Sequence, residues 1–385
     1  MSVQKAMKTL KKINILLTII LISGCTNLSA NHYLTEKYSD KITYKKSAFK
    51  DLKNWNNADQ LKSFNTFKLS CEKIIQENKI EYNNWTSLCK KTINTKIDSI
   101  EEARLFFEEN FSPYKIIFNN KDTGIFTGYY EPILKGSLVK TLQYNVPIYK
   151  TPKDLVKLSN TVDTYKFGRY ENDKLVPYYT RAEISNGNLF GKKDVLVWVK
   201  SKVDRSFLQI QGSGRIQTDS GDVLIGYDSQ NGQPYRPIGK YLIDQNYLPL
   251  EKMSMQSIKE WLYNHPDKID EVLNYDPSFV FFRYIDAKNA IGAQDVELTP
   301  GYSLAVDNKY YLYGIPMWLE TEYYKKNLND TVSLNRLMIA QDTGGAIRGA
   351  IRGDVFWGHG KQAEFNAGHM NNHGKLWILL PKEKI

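Results

Sequence analysis

Two aspartates, Asp342 and Asp354, bound a segment, QDTGGAIRGAIRGDVFWGHG (341–360), that is rich in glycine and carries two arginines and one Phe-Trp pair. A third, Asp307, follows a short apolar run in LAVDNKYYLYGIP. A carboxyl in a dry crevice has its neutral form favoured, so its pKa rises and it can give a proton to a leaving oxygen near neutral pH. Alternation in DVFW puts Asp354 and Phe356 on one face of a strand and Val355 and Trp357 on the other. Glycines such as Gly344 and Gly345 let a polymer approach the backbone closely. Each aspartate also has a plain turn role open to it, Asp342 through an Asx-type bond at the paired glycines and Asp354 as the residue that opens a strand. Their co-occurrence around one Gly-rich excursion favours chemistry. The 26 tyrosines and 7 tryptophans suit the alternating apolar and hydroxyl surfaces of sugar rings, although much of that content must be core.

Three histidines, His359, His369 and His373, invite a metal reading, because HMNNH spaces two imidazoles one helical turn apart. Gly368, Gly374 and the nearby asparagines argue against a helix there, and no cysteine accompanies them. Neither a metal nor another cofactor is expected.

The elements that must position these carboxyls occupy a chain of 385 residues, long enough for about two domains. The first 24 residues read as a signal peptide: a lysine-rich start, an apolar run from Ile13 to Ile22, then Ser23-Gly24-Cys25. The run is short for a membrane-spanning helix, which needs about 20 residues. ISGC resembles the lipobox of bacterial lipoproteins, which makes Cys25 the lipidated first residue and 25–46 a tether; a simple signal anchor is the alternative. Thr26 in place of an aspartate resembles lipoproteins sorted to the periplasmic face of the outer membrane. The formal net charge of +10 falls to a mild basic excess once Lys5, Lys8, Lys11 and Lys12 go with the leader. No basic run with interleaved aromatics is present, so nucleic acid is not an expected partner. In an oxidising compartment Cys71 and Cys89 either close a disulfide or remain two buried thiols.

Helical patterns dominate to about Phe111, and SIEEARLFFEENF offers a capping-box pair, Ser99 with Glu102. From Tyr114 short runs rich in β-branched and aromatic residues follow, among them YKIIFNN, GIFTGYYEP, DVLVWVK, SFLQIQGSG and GDVLIGYD. A helical pair broken at Pro266 and a shorter helix after Pro237 interrupt them. SFVFFRY, YSLAVD, KYYLYG, RLMIAQD, DVFWG and KLWILLP then predict further strands. Many short strands without crossover helices indicate a mainly β fold, a barrel or sandwich, with helices at the N-terminus.

FTGYYEP (126–132), IQGSGRI (210–216), MSMQSIKEW (253–261), DPSFVFF (276–282) and the segment from Gln341 resemble, in order, the blocks of the membrane-bound lytic murein transglycosylase A family. The resemblance implies a double-psi β-barrel domain from 47–145 and 287–385, an inserted smaller β-domain at 146–286, and a groove between them. Asp307, Asp342 and Asp354 fall on the positions of its three-aspartate module, with Asp354 the catalytic acid and Asp342 its supporting neighbour. AIRG, in place of a commoner lysine-bearing version, and HGKQ are small departures. The implied reaction cuts the MurNAc-GlcNAc β-1,4 bond of peptidoglycan glycan strands and leaves 1,6-anhydromuramic acid ends. An endoglucanase-like inverting hydrolase and a lipoprotein that only holds peptidoglycan are the competing readings. A complex with a cell-wall synthase or scaffold is left open.

For substrate binding the candidates are Tyr129, Tyr130 and Glu131 in the GYYEP block, Gln211, Ser213 and Arg215 on a Gly-rich turn, and Gly344 and Gly345. Strand alternation sends one of the two tyrosines to the core. Glu131 beside Pro132 suits a turn, and an ordinary hairpin accounts equally well for 211–215.

Overall fold

The computed structural model describes residues 41–161, 164–186, 189–325 and 327–382. The leader, Cys25 and most of the expected tether lie outside the described residues. The last residues of that tether form strand β1 (Ile42–Lys46), antiparallel to β2 (Phe111–Phe118). Between them stand helices α1 (Gln60–Glu77), α2 (Asn83–Asn94) and α3 (Ile100–Asn110). Asp59 caps α1 by accepting the Lys62 N–H, and Asn78 ends it in the left-handed region. Phe64, Phe67, Cys71 and Ile74 recur at helical spacing along its buried face. At α3 the Ser99–Glu102 capping box forms as the sequence predicts. Cys71 and Cys89 are bonded, which ties α1 to α2.

Strand β3 (Gly124–Glu131) runs through Pro132 straight into β4 (Ile133–Ser137), and the two belong to different sheets. β4 pairs with β9 (Val195–Val199) and β10 (Ser213–Thr218), so the second lobe takes a strand from ahead of the boundary drawn at 146. Its sheet is completed by β5 (Val146–Tyr149), β11 (Gly221–Gln230) and β12 (Val280–Tyr284) in the order β12-β11-β10-β4-β9-β5. A bridge between Lys150 and Phe282 brings its two edges together. Strands β6 (Val156–Thr161), β7 (Thr164–Glu171) and β8 (Lys174–Pro177) form a separate meander.

Five helices accompany this lobe among the described residues: α4 (Arg181–Asn186), α5 (Lys202–Gln211), α6 (Ile238–Asp244), α7 (Met255–Asn264) and α8 (Ile269–Asn274). The break at Pro266 and the helix after Pro237 are as read. SFLQIQ is not a strand. Ser201 caps α5 through the Asp204 N–H, Val203, Phe207 and Leu208 face the core at helical spacing, and Gly212 (φ +79°) ends it.

The chain returns to the first lobe with β13 (Ser303–Val306), β14 (Pro316–Tyr324), β15 (Thr331–Asp342), β16 (Arg352–His359), α9 (Lys361–His369) and β17 (Asn371–Pro381). KYYLYG is a turn rather than a strand: Asp307 O accepts the Tyr310 N–H, and Gly314 sits at φ +85°. The ring β17-β14-β15-β13-β16-β3 closes through the β3–β17 pairing. Two of its six ladders, β13 with β15 and β16 with β3, are parallel. This is the double-psi barrel that the resemblance implies, with the second lobe inserted after β3. Helices α1–α3 and one side of the barrel share a core that includes Phe67, Phe107, Trp318, Leu337 and Val355.

Candidate active site

β13 is short, and each of its ring neighbours sets an aspartate opposite the same residue. Ala305 pairs with Asp342 on β15 and with Asp354 on β16. Asp354 lies opposite Thr127 on β3. Residues paired across a ladder share a face, so Asp342, Ala305, Asp354 and Thr127 form one transverse row. Two interstrand spacings place the aspartate Cα atoms about 9–10 Å apart. A bulge makes the row possible. Leu304 pairs with Ala340 and Ala305 with Asp342, so Gln341 is the extra residue; in an unbulged ladder Gln341 rather than Asp342 would stand opposite Ala305.

The row stands on an apolar bed of Tyr129, Ala290, Leu298, Ala305, Ile347 and Phe356. Burial pushes the Asp354 carboxyl above the usual range, while the Arg352 charge and a Thr127 hydrogen bond pull the other way. Thr127 Oγ1 donates to Asp354 Oδ1 at 2.6 Å and accepts from Arg352 Nη2 at 2.8 Å. Burial likewise pushes Asp342 up, to about 6, against hydrogen bonds from Tyr129, Thr343 and Ala293; the nearby Asp354 charge adds a small upward push. Those bonds run from Tyr129 Oη to Oδ2 (2.7 Å) and from the Ala293 and Thr343 N–H groups to Oδ1 (2.9 Å each). The two carboxyls are thus held differently, Asp354 at one oxygen and Asp342 at both.

Asp307 is buried away from the row. It accepts the N–H groups of Lys309 (3.1 Å) and Gly349 (2.7 Å), which pins the turn into β16 where Gly349 has φ +111°. Gly344 O accepts from Arg348 Nη1 at 2.9 Å, and a Cβ at Gly345 would stand 3.9 Å from Tyr235 Cβ of the second lobe. The paired glycines therefore turn where the lobes meet.

Of the remaining sequence candidates only Tyr129 reaches the row. Tyr130 points to the opposite face, where its hydroxyl donates to Glu364 at 3.0 Å. Glu131 is fully buried against Arg215 at 3.1 Å, and Arg215 also donates to Lys288 O at 2.8 Å. Gln211 ends α5 rather than occupying a turn, and its Oε1 accepts the Tyr130 N–H at 2.9 Å. Ser213 is buried within β10. Glu131, Gln211 and Arg215 thus fasten the second lobe to β3. The histidines are dispersed: His359 closes β16, His369 ends α9 and His373 lies on β17. Among the described residues no three potential ligands gather around a metal position, and no helix is long and apolar enough to cross a membrane.

Sequence reasoning missed Thr127, Arg352 and Ala293. The signal for the first two was strand alternation, because Thr127 stands two before Tyr129 and Arg352 two before Asp354. Nothing local marks Ala293, whose contribution is a backbone N–H 49 residues from Asp342.

Residues 125–283 match the MltA specific insert domain, and residues 302–380 match the 3D domain. The membrane-bound lytic murein transglycosylase A of Escherichia coli K12 is 34% identical over 259 residues, 66% of this chain and 65% of that protein. The chain thus spans just under two thirds of that relative's length. A homolog from Buchnera aphidicola is 30% identical over 393 residues, 97% of both chains. Among solved structures, a membrane-bound lytic murein transglycosylase from Agrobacterium tumefaciens matches with TM-score 0.80 at 32% identity, covering 88% of this chain and 98% of that one. The E. coli protein with bound chitohexaose matches with TM-score 0.65 at 25% identity, covering 90% and 98%. The chain belongs to the membrane-bound lytic murein transglycosylase A family.

Proposed function

We propose that the protein cleaves the β-1,4 bond between N-acetylmuramic acid and N-acetylglucosamine in peptidoglycan without adding water. The observation that carries this reading is the transverse row, in which Asp354 is held by Thr127 at one oxygen in surroundings that favour its protonated form. Protonated Asp354 gives its proton to the glycosidic oxygen as the bond to the anomeric carbon breaks. The carboxylate so formed takes the proton from the muramic acid C6 hydroxyl, whose oxygen closes on the anomeric carbon to give the 1,6-anhydro ring. The same group therefore serves as acid and then as base. Asp342 supports it: when ionised, its charge on the same face stabilises the oxocarbenium-like transition state. Family membership and a relative solved with chitohexaose support a glycan strand as the substrate. Tyr129, Gly344 and Gly345 are the residues of this reading that border the strand.

Digestion of purified sacculi followed by mass spectrometry tests it. Wild-type protein is expected to release anhydromuropeptides, one water lighter than hydrolysed products, and Asp354→Asn to bind sacculi while releasing about 10³-fold less. Hydrated reducing ends would instead indicate the inverting hydrolase, and release unchanged in Asp354→Asn would remove the acid role. The companion reading anchors the protein to the periplasmic face of the outer membrane through lipid on Cys25. Fatty-acid labelling that persists in Cys25→Ala would overturn it.

A further inference from the structure

The bulge that brings Asp342 into the row is held from outside the barrel. Its extra residue, Gln341, is fully buried, and its Nε2 donates to Ser70 Oγ at 2.8 Å and to Thr66 O at 3.2 Å, both on α1. Gln341 Oε1 accepts from Ser303 Oγ at 2.5 Å. Ser70 Oγ in turn donates to Gln294 Oε1 at 2.7 Å, and the Gln294 N–H donates to Gln341 O at 3.0 Å. The residue before Gln294 is Ala293, whose N–H reaches Asp342 Oδ1. All four side chains are buried and each is hydrogen-bonded, which for a polar network favours a single arrangement. Cys71, next to Ser70, is covalently tied to α2.

We propose that Ser70 and Gln294 are positioning residues for the supporting aspartate. The helical segment ahead of the barrel, through them, fixes the Gln341 bulge and the Ala293 N–H that together set where Asp342 stands and how readily it ionises. The inference rests on the reading of Asp342 as the supporting carboxyl. The charged and titratable groups that act on it are Tyr129 from β3 and Asp354 from β16; two residues after Ala293, Asp295 is paired with Lys73 at 2.7 Å. A hydrogen bond to a carboxylate favours its ionised form, so loosening the Ala293 contact makes Asp342 harder to ionise.

The test is a titration of Asp342 by carbon-detected NMR on protein carrying labelled aspartate, in an Asp354→Asn background where no turnover occurs. Ser70→Ala and Gln294→Ala are each expected to move the Asp342 midpoint up by about one pH unit. Phe64→Leu, a core change on the same helix face outside the network, is expected to leave it in place. A midpoint that stays put in folded Gln294→Ala or Ser70→Ala, or that moves equally in Phe64→Leu, overturns the proposal. In the enzyme with Asp354 intact, the same two substitutions are expected to displace the pH profile of glycan release rather than lower it evenly. The titration needs no turnover, so wild-type protein that releases no anhydromuropeptide would defeat the proposed function while leaving the NMR result standing.

Discussion

Asp342 and Asp354 flank Ala305 at matching positions, but the chain surrounds them differently. Asp342 accepts three hydrogen bonds, two of them from backbone N–H groups, and both of its oxygens are engaged. Asp354 accepts one, from the hydroxyl of Thr127 to its Oδ1. Donors fix a carboxyl in place and oppose the effect of burial, whereas one held at a single oxygen in an apolar setting has less to oppose it. Burial raises both, so the number of donors is the difference on which the proposed division of roles rests.

That contrast breaks most visibly on Asp354 itself. Asp354→Asn keeps the shape and removes the transferable proton, and a loss of about 10³-fold in anhydromuropeptide release is expected. A loss of only a fewfold, with Asp342→Asn the more damaging change, would exchange the two roles. A second prediction addresses the single donor. Thr127→Val removes the hydrogen bond that favours the ionised form, so the Asp354 carboxyl rises further and stays protonated to higher pH. Release is expected to fall about tenfold at neutral pH, with the alkaline limb of the pH profile displaced upward. A limb that moves downward would mean that Thr127 does not act on Asp354.

Much of the barrel and one side of this contrast were legible in the residues. Strand alternation placed Asp354 with Phe356 on one face, and these do lie apart from Val355, which joins the core shared with the helices. The helical pair at Pro266 and the Ser99 capping box are local signals and were readable for that reason. SFLQIQ was misread because a short stretch with apolar residues at Phe207, Leu208 and Ile210 fits both periods, and only the Ser201 cap and Gly212 stop decide between them. Gln211, Ser213 and Arg215 suggested a sugar-binding turn; Gln211 and Arg215, with Glu131, fasten two lobes, and Ser213 is buried in β10. Their partners come from β3 and from the return connection at Lys288, which no local pattern announces. The same distance in sequence hid the bulge at Gln341 and the N–H of Ala293.

The smallest expected effect is on stability, and it tests whether burial outweighs donors at Asp342. Burial pushes its carboxyl up to about 6, above the usual aspartate value of about 4. A raised carboxyl binds its proton more tightly in the folded state. Its contribution to stability is therefore complete below about pH 4 and is lost as pH rises toward about 6. Asp342→Asn removes that titration. Its oxygen can still accept the two backbone N–H groups, and its amide can donate to Tyr129 Oη. The melting temperature of the variant relative to wild type is expected to climb between pH 4 and pH 7 by a few degrees and then level off. A variant that instead loses relative stability as the pH rises would show that the three donors outweigh the burial. Asp342 would then be an ordinary structural carboxylate, and the distinction from Asp354 would rest on the number of donors alone.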